Sequence, residues 1–299
     1  MAQCCVVSST HGSALDAYVL SESSLFVYPS KLVIKTCGTT ALLAALPHLL
    51  ALVRAACRGA PAARVRYSRA CFKYPAVQPA PHRSWAEEVA FLDRALGVRG
   101  SARVLGDGSV ATLRWHVYAA APAAKASPPR PAAPPVVTVE VCCTGLDKGA
   151  AGGFIFSPSK PKPSAAEVTV STGIGAAFPG YVIDDFAFDP CGYSMNALRG
   201  GSAATIHVTP EAKCSYASLE ISGPGDGAGS VAEVVGHAVR VFKPSRLCVA
   251  LTVDGDAELL PPGWAAASLP PGFVPVGAQR MALPGGGYVM HVTGHTKKG

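Results

Sequence analysis

Several hydroxyl, thiol and imidazole groups of the sequence stand where they could do chemistry. Segment 18–40 places three serines in an apolar, strand-like run and a cysteine beyond it: Ser21, Ser23, Ser24 and Cys37. On composition alone, these serines are polar positions of a half-buried strand and the cysteine is a buried free thiol. Segment 192–196 resembles a nucleophile elbow but ends in Asn instead of Gly, which argues against a serine hydrolase.

Metal ligation is not predicted by the spacing of the candidate ligands. His207 and Glu211 are four residues apart, but Pro210 between them breaks any helix that would bring them to one face. The ten cysteines contain no C-x-x-C pair, so the spacing of a zinc site is absent. We therefore expect no metal and free thiols, as in a reducing compartment.

Charge and hydropathy exclude two further classes of protein. The 26 basic and 19 acidic residues give a net charge of +7, but the longest basic run is the pair Lys297–Lys298. A nucleic-acid binder concentrates its charge on one stripe, so we expect no nucleic-acid partner. The longest apolar stretch, residues 41–53, is shorter than the roughly 20 residues that cross a bilayer. With no secretory signal at the N-terminus, the sequence predicts a cytoplasmic protein without a membrane partner.

The elements that would position these groups are mostly strands. Of the 299 residues, 49% are hydrophobic, and 31 are glycine and 26 proline, which favours short strands joined by turns. Helical periodicity is limited to segments 40–57, 84–96 and 230–242, and S-x-x-E capping boxes begin the last two. Strand-like runs, including one at 17–27, flank them. The pattern predicts an α+β fold with helices on the outer faces of antiparallel sheets, and the Ala/Pro-rich stretch 119–135 as a loop.

Residues 20–40, LSESSLFVYPSKLVIKTCGTT, resemble the S-adenosylmethionine decarboxylase family, and its plant members in particular. Further blocks follow in the same order: PAPH (79–82), EEVAF (87–91), WHVY (115–118), TGLDK (144–148), DPCGYSMN (189–196), TIHVTPE (205–211) and SYAS (215–218). The resemblance implies one domain over residues 1–299, built as a four-layer α/β/β/α sandwich of two antiparallel sheets with an internal duplication.

The resemblance also implies a cofactor that the chain makes from itself. The bond Glu22–Ser23 is expected to break, giving a β chain of residues 1–22 and an α chain of 23–299. The Ser23 hydroxyl attacks the Glu22 carbonyl, and the peptide becomes an ester. A base then removes the Ser23 Cα proton, and elimination and hydrolysis leave a pyruvoyl group. The base matches His207, which suits a proton transfer near neutral pH, and Ser194 matches an assisting hydroxyl. Ser24 is expected to remain an ordinary strand serine.

For turnover, the resemblance implies that the pyruvoyl ketone forms a Schiff base with S-adenosylmethionine and accepts the electrons released with CO2. The product would be the aminopropyl donor for spermidine and spermine. Cys37 matches the proton donor, and its thiol is mostly protonated at neutral pH. Glu211 matches the carboxylate that binds the ribose, and Phe188 the aromatic that stacks on adenine and suits a sulfonium. Leu20 and Glu22 match positions that flank the site.

Two classes of function remain open at this point. The family's N-terminal F-E-G-x-E-K motif precedes the segment found here at residues 4–8, so an N-terminally truncated member is expected. The intact Ser23, Cys37, Ser194 and His207 favour a self-processing decarboxylase, monomeric as in plants, that keeps its cleaved N-terminal chain. The missing motif favours a catalytically inactive, truncated paralogue that acts at most as a partner of an active enzyme.

A buried charge site is implied as well, with the members Lys35, Arg66, Arg69, Glu140 and Glu220. In animal members the site binds putrescine, and Val136 stands here in place of an aspartate of that pattern. Arg66 stands in place of an aromatic and supplies a fixed cation that could neutralise the two glutamates. The sequence predicts behaviour independent of putrescine; the competing interpretation is an ordinary buried charge network.

Overall fold

The computed structural model describes residues 5–21, 23–37, 40–72, 74–106, 113–122, 135–157, 159, 161–223, 230–260, 263–264, 267–284 and 286–296. The strands of the N-terminal half are β1 (Val6–His11), β2 (Asp16–Leu20), β3 (Ser23–Val27), β4 (Leu32–Thr36), β5 (Val65–Arg69), β6 (Ser101–Leu105) and β7 (Trp115–Ala120). Those of the C-terminal half are β8 (Val136–Thr144), β9 (Val182–Ala187), β10 (Tyr193–Arg199), β11 (Ser202–Thr209), β12 (Tyr216–Gly223), β13 (Arg246–Asp254), β14 (Phe273–Ala282) and β15 (Tyr288–Thr296). The helices are α1 (Leu42–Ala56), α2 (Trp85–Leu96), α3 (Lys148–Gly152), α4 (Ala165–Ser171) and α5 (Val231–Phe242).

An eight-stranded antiparallel sheet forms the centre, in the order β14-β15-β13-β8-β12-β11-β10-β9. Its middle strands are buried on both faces, because alternate side chains point to opposite layers. One face packs against α3, α4 and α5 around side chains such as Val249, Leu219 and Phe242. Burial of this kind contributes about 1.5–3 kcal/mol for each large apolar side chain. The helices therefore hold the central sheet from one side.

Two smaller sheets cover the opposite face of the central sheet. The four-stranded sheet β1-β2-β3-β4 packs Phe26 and Ala17 against Leu198 of β10 and Ala203 of β11. The three-stranded sheet β5-β7-β6 packs Trp115 and neighbouring side chains against β8, β13, β14 and β15. Helices α1 and α2 lie on the outer side of this second sheet, where they bury Leu43, Leu92 and Tyr118 together. Among the described residues no helix is long and apolar enough to cross a membrane.

The α+β fold with antiparallel sheets is confirmed, but details differ from the sequence prediction. Within the part of the chain that the structure describes, the strands form three sheets instead of two, because β1 to β4 pair in chain order and α1 then separates β4 from β5. The predicted single strand 17–27 is a hairpin, since Leu20 pairs with Ser23 and the chain reverses between them. Of the predicted loop 119–135, residues 119–120 end β7, and 123–134 lie outside the described residues.

Candidate active site

Ser23 is the first residue of β3 and lies directly after the turn of the β2–β3 hairpin. Leu20, which was predicted to flank the site, is its partner on β2, and Thr36 is its partner on β4. Ser23 is 0% exposed, so it is held in a dry position by strands on both sides. Glu22 lies outside the described residues. The bond predicted to break thus leads into a strand that is paired along both edges.

His207 forms a hydrogen-bonded row that joins the central sheet to the four-stranded sheet. Its Nδ1 lies 2.9 Å from Ser194 Oγ, and the two residues are partners on β11 and β10. Its Nε2 lies 3.1 Å from Ser24 Oγ on β3 and 3.3 Å from Thr205 Oγ1. Ser24 and Thr205 are also within 3.0 Å of each other. The imidazole is therefore held from both ring nitrogens by buried hydroxyls.

The environment of His207 makes the ring a neutral group. Burial first, and then the nearby Lys35 ammonium, lower the pKa of His207 to about 3, whereas the charge of Glu220 acts in the opposite direction. The sequence predicted that His207 suits a proton transfer near neutral pH, and this role stays a prediction. Since the residue is only 5% exposed, the ring stays unprotonated throughout the physiological range.

Ser24 is a site residue that the sequence analysis missed. It was expected to be an ordinary strand serine. However, it is 0% exposed, and its hydroxyl is the group of β3 that contacts His207. Alternate residues of a strand share a face, so Ser24 points with Phe26 towards the central sheet. That alternation with a core phenylalanine was the available signal, because a polar position two residues from a buried one needs a polar partner.

Cys37 follows the last residue of β4 and is half-buried. Its neighbour Thr36 is the β4 partner of Ser23, so the backbone of Cys37 lies one residue from the position opposite Ser23. Adjacent strands are about 4.8 Å apart. The pairing of β3 with β4 therefore brings the predicted proton donor to the same end of the sheet as the predicted cleavage site.

Phe188 and Glu211 lie at one end of the central sheet, beside the Ser194–His207 pair. Phe188 begins the turn between β9 and β10, and Glu211 follows the end of β11. The turn is closed by the Phe188 N–H, which donates to the Gly192 carbonyl at 3.0 Å. Burial and then the Glu211 carboxylate, which hydrogen-bonds it, raise the pKa of Cys191 in this turn. The two residues predicted to bind substrate are thus brought to one edge.

The buried charge site contains three of its five predicted members in direct contact. Lys35, opposite Ser24 on β4, donates from Nζ to Glu220 Oε2 at 2.7 Å and lies 3.7 Å from Glu140 Oε1. Glu140 and Glu220 are partners on β8 and β12. Burial and then the charge of Glu220 raise the pKa of Glu140 to about 8. Burial would also raise the pKa of Glu220, but the Lys35 ammonium outweighs it and lowers the value.

The two predicted arginines are placed differently. Arg69 pairs with the fully buried Glu88 of α2 and stacks on Phe72, with 3.7 Å from its guanidinium carbon to the ring centroid. Its contacts with Glu88 place it in a separate network from Glu140 and Glu220. Arg66 is exposed, and its charge lowers the pKa of both glutamates only as the last of the contributing causes. The cation in contact with the acids is therefore Lys35.

The fold and the site define a class: an α+β protein of antiparallel sheets with a buried hydroxyl–imidazole row beside a strand-initiating serine. Its fold matches the crystal structure of a Trypanosoma brucei AdoMetDC-delta26 monomer with a TM-score of 0.66 at 22% sequence identity, over 91% of this chain and 99% of that one. The sequence profile described as adenosylmethionine decarboxylase matches residues 1–263. The chain belongs to the adenosylmethionine decarboxylase family.

Plant relatives give the same assignment. The S-adenosylmethionine decarboxylase proenzyme of Hordeum chilense is 44% identical over 259 residues, which cover 85% of this chain and 63% of the relative. Proenzyme 3 of Arabidopsis thaliana is 44% identical over 262 residues, covering 87% of this chain and 73% of that protein. The aligned part of this chain thus spans about 63% of the length of the first of these relatives.

Proposed function

We propose that this chain is a self-processing, pyruvoyl-dependent decarboxylase of S-adenosylmethionine that supplies an aminopropyl donor for spermidine and spermine. The observation that carries the proposal is the row Ser194–His207–Ser24, which links two sheets immediately beside Ser23. Membership of the family and the intact Cys37 support it. Mass spectrometry of the purified chain distinguishes this function from the alternative, an inactive paralogue.

In the proposed processing, the Ser23 hydroxyl attacks the Glu22 carbonyl, the Glu22–Ser23 C–N bond breaks, and an ester forms with a free amino group on Ser23. His207 then accepts the Cα proton of Ser23, and the Cβ–O bond breaks with release of the Glu22 carboxylate. Water replaces the nitrogen of the remaining enamine, and ammonia leaves. The ring is unprotonated near neutral pH, and its contact with Ser194 orients it for this transfer.

The position of Ser23 suits the cofactor that the family makes there. A new chain end at Ser23 would be the first residue of a strand paired on both sides and shielded from water. When present, a pyruvoyl group supplies an electron sink for the decarboxylation of an amino acid. The residues of the chain do the rest: the thiol of Cys37 delivers a proton at the substrate Cα, and Phe188 and Glu211 bind adenine and ribose. The proposed substrate contacts converge on the edge that carries Ser194 and His207.

At the level of the fold, we propose a four-layer α/β/β/α arrangement in a single domain with an internal duplication. The packing of α3 to α5 on one face of the central sheet supports it, as does the packing of α1 and α2 outside the three-stranded sheet. Each half of the chain contributes a set of antiparallel strands and a set of outer helices. The proposal includes a monomeric, cytoplasmic enzyme that retains residues 1–22 after cleavage.

Mass spectrometry of the purified chain tests the processing step. The wild-type chain should split into residues 1–22 and 23–299, with a pyruvoyl group at the new end, and Ser23→Ala should remain whole. His207→Ala should stop at an ester that hydroxylamine cleaves. Cys37→Ala should process but decarboxylate slowly, because Cys37 acts only on the substrate. A wild-type chain that stays intact after long incubation would favour the inactive paralogue.

A further inference from the structure

Helix α1, which begins shortly after Cys37, has no cap of its own. Its N-cap is Ala41, which offers no side-chain hydrogen bond, and the first turn contains no acidic residue. The first N–H groups of a helix have no partner within the helix and need an acceptor from elsewhere. Here the Leu43 N–H donates to His82 Nε2 at 3.2 Å, and both residues are buried. His82, which is 39 residues away along the chain, therefore serves as the capping side chain of α1.

The ring of His82 is fixed in one tautomer by Glu88. Since Nε2 accepts from Leu43, Nδ1 is the ring nitrogen left to donate, and it lies 2.7 Å from Glu88 Oε1. Glu88 is 0% exposed, and the same oxygen accepts from the Tyr67 hydroxyl at 2.8 Å and from Arg69. The carboxylate is therefore anchored by β5, and it orients the imidazole towards α1.

The segment between β4 and α1 connects this cap to Cys37. The Thr40 N–H approaches the Cys37 carbonyl at 3.5 Å, and the Leu42 N–H donates to the Thr40 carbonyl at 2.9 Å. These two bonds link the backbone of Cys37 to the first turn of α1. A shift of that turn would therefore displace the backbone of Cys37, and the bond from Leu43 to His82 holds the turn in place.

We propose that His82, oriented by Glu88, is a positioning residue that fixes the N-terminal turn of α1 and thereby places the Cys37 thiol. The inference rests on the proposed role of Cys37 as proton donor, and it adds two residues that act through it. Loss of the acceptor leaves a buried N–H unpaired and releases the turn. We expect slower proton delivery with substrate binding unchanged, because Phe188 and Glu211 lie on the central sheet, whereas α1 packs on the three-stranded sheet.

The test compares His82→Leu, which removes the acceptor, with His82→Gln, which restores one. His237→Leu is the matched control, since His237 is a buried histidine of α5 on the opposite face of the central sheet. The main measurement is the rate at which iodoacetamide alkylates Cys37, followed by peptide mass spectrometry. Exposed Cys57 at the far end of α1 is the internal reference, and fully buried Cys143 reports unfolding.

In His82→Leu, alkylation of Cys37 should rise about five- to tenfold relative to Cys57, the order expected from the loss of one buried hydrogen bond. The kcat of decarboxylation should fall by a similar factor with KM within about twofold. His82→Gln and His237→Leu should stay near wild type. An unchanged Cys37 rate in folded His82→Leu, or an equal rise at Cys57, overturns the proposal.

Two further outcomes keep the inference separate from the proposed function. If the wild-type chain is inactive but His82→Leu still raises Cys37 alkylation, the proposed function is wrong, whereas the role of His82 in placing Cys37 is supported. If His82→Leu unfolds, as shown by alkylation of Cys143, then Glu88→Gln decides, because it keeps the side-chain volume and removes the charge that orients His82. Its Cys37 rate should rise about threefold, and no change would overturn the proposal.

Discussion

At the scale of single residues, the site is organised by which of two adjacent serines faces which layer. Ser23 and Ser24 are both fully buried, but neighbouring residues of a strand point to opposite faces. Ser24 shares its face with Phe26 and reaches His207, so the hydroxyl–imidazole row passes through it. We infer that Ser24 orients the ring that is proposed to accept the proton of Ser23, and that the S-E-S-S motif needs both serines.

This inference gives a residue-scale prediction. Ser24→Ala should slow self-cleavage by about tenfold, because His207 loses the hydroxyl at 3.1 Å from Nε2 and is less well oriented. Thr205→Val is the matched control, since its hydroxyl is 3.3 Å from the same nitrogen and Ser24 would keep its contact. The half-time of chain splitting, followed by gel densitometry, measures both. Splitting of Ser24→Ala at the wild-type rate would contradict the role given to Ser24.

At the scale of elements, the residues at the start of each helix determine how its first N–H groups are capped. Ser230 and Glu233 form a reciprocal capping box at α5, with the Ser230 hydroxyl accepting from the Glu233 N–H and the Glu233 carboxylate accepting from the Ser230 N–H. At α2, Ser84 accepts from the Glu87 N–H. Both helices begin where the sequence predicted. Helix α1, which lacks such a residue, relies on His82 instead.

The element-scale prediction concerns these caps. Ser230→Ala should lower the free energy of unfolding by about 1 kcal/mol, because the Glu233 N–H loses its acceptor at the start of a helix that packs on the central sheet. Ser164→Ala offers a comparison, since the same box begins the shorter, more exposed α4. Urea unfolding measures both variants. A Ser230→Ala chain as stable as wild type would show that packing alone holds α5.

Features with a cause inside one segment of the chain could be predicted from the sequence, whereas features that depend on distant segments could not. Helices α2 and α5 were predicted because their caps and apolar spacing lie within one segment. The reversal within the predicted strand 17–27 was missed, since the apolar positions of both strands of this hairpin are set by the layers that cover them. The contacts of Arg69 with Glu88 and of Ser24 with His207 could not be predicted either. In each pair the two residues become neighbours only when whole layers pack together.

At the scale of the whole molecule, buried titratable groups make stability depend on pH in two opposite directions. The pKa of His207 is lowered from its usual 6.5 to about 3, so between these values the unfolded chain binds the extra proton. Stability from this group is therefore lost as the pH falls from 6.5. The pKa of Glu140 is raised from 4.5 to about 8, so between these values the folded chain holds the extra proton. This contribution is lost as the pH rises towards 8.

Two variants should separate these contributions in urea unfolding between pH 4 and pH 8.5. His207→Gln should gain stability relative to wild type as the pH falls below 6.5, by at most about 1.4 kcal/mol per pH unit. Glu140→Gln should gain relative to wild type as the pH rises from 4.5 to 8, since its amide needs no proton to remain a donor. Parallel pH profiles for wild type and either variant would contradict the corresponding assignment.

The same charged site predicts how the whole molecule responds to a diamine. Lys35 pairs with the Glu220 carboxylate, and the raised pKa of Glu140 keeps that second acid largely protonated near neutral pH, so the charges already balance. Putrescine would bring two more buried positive charges, and a buried ammonium without a partner is strongly unfavourable. The cavity beside Glu220, lined also by Tyr28 and Ser222, has room for about one water. We therefore expect millimolar putrescine to leave both processing and decarboxylation unchanged.

The comparison that tests this explanation replaces Lys35, the buried cation of the site. In Lys35→Met the carboxylate of Glu220 loses the ammonium at 2.7 Å, and processing should slow and then recover in part when putrescine is added, because the diamine supplies the missing charge. Arg66→Met is the control, since Arg66 is exposed and its charge is the last of the causes that lower the pKa of Glu220, and it should remain insensitive to putrescine. Clear stimulation of the wild-type chain would show that the site still binds the diamine. Stimulation of Arg66→Met but not of Lys35→Met would transfer the role of the fixed cation to Arg66.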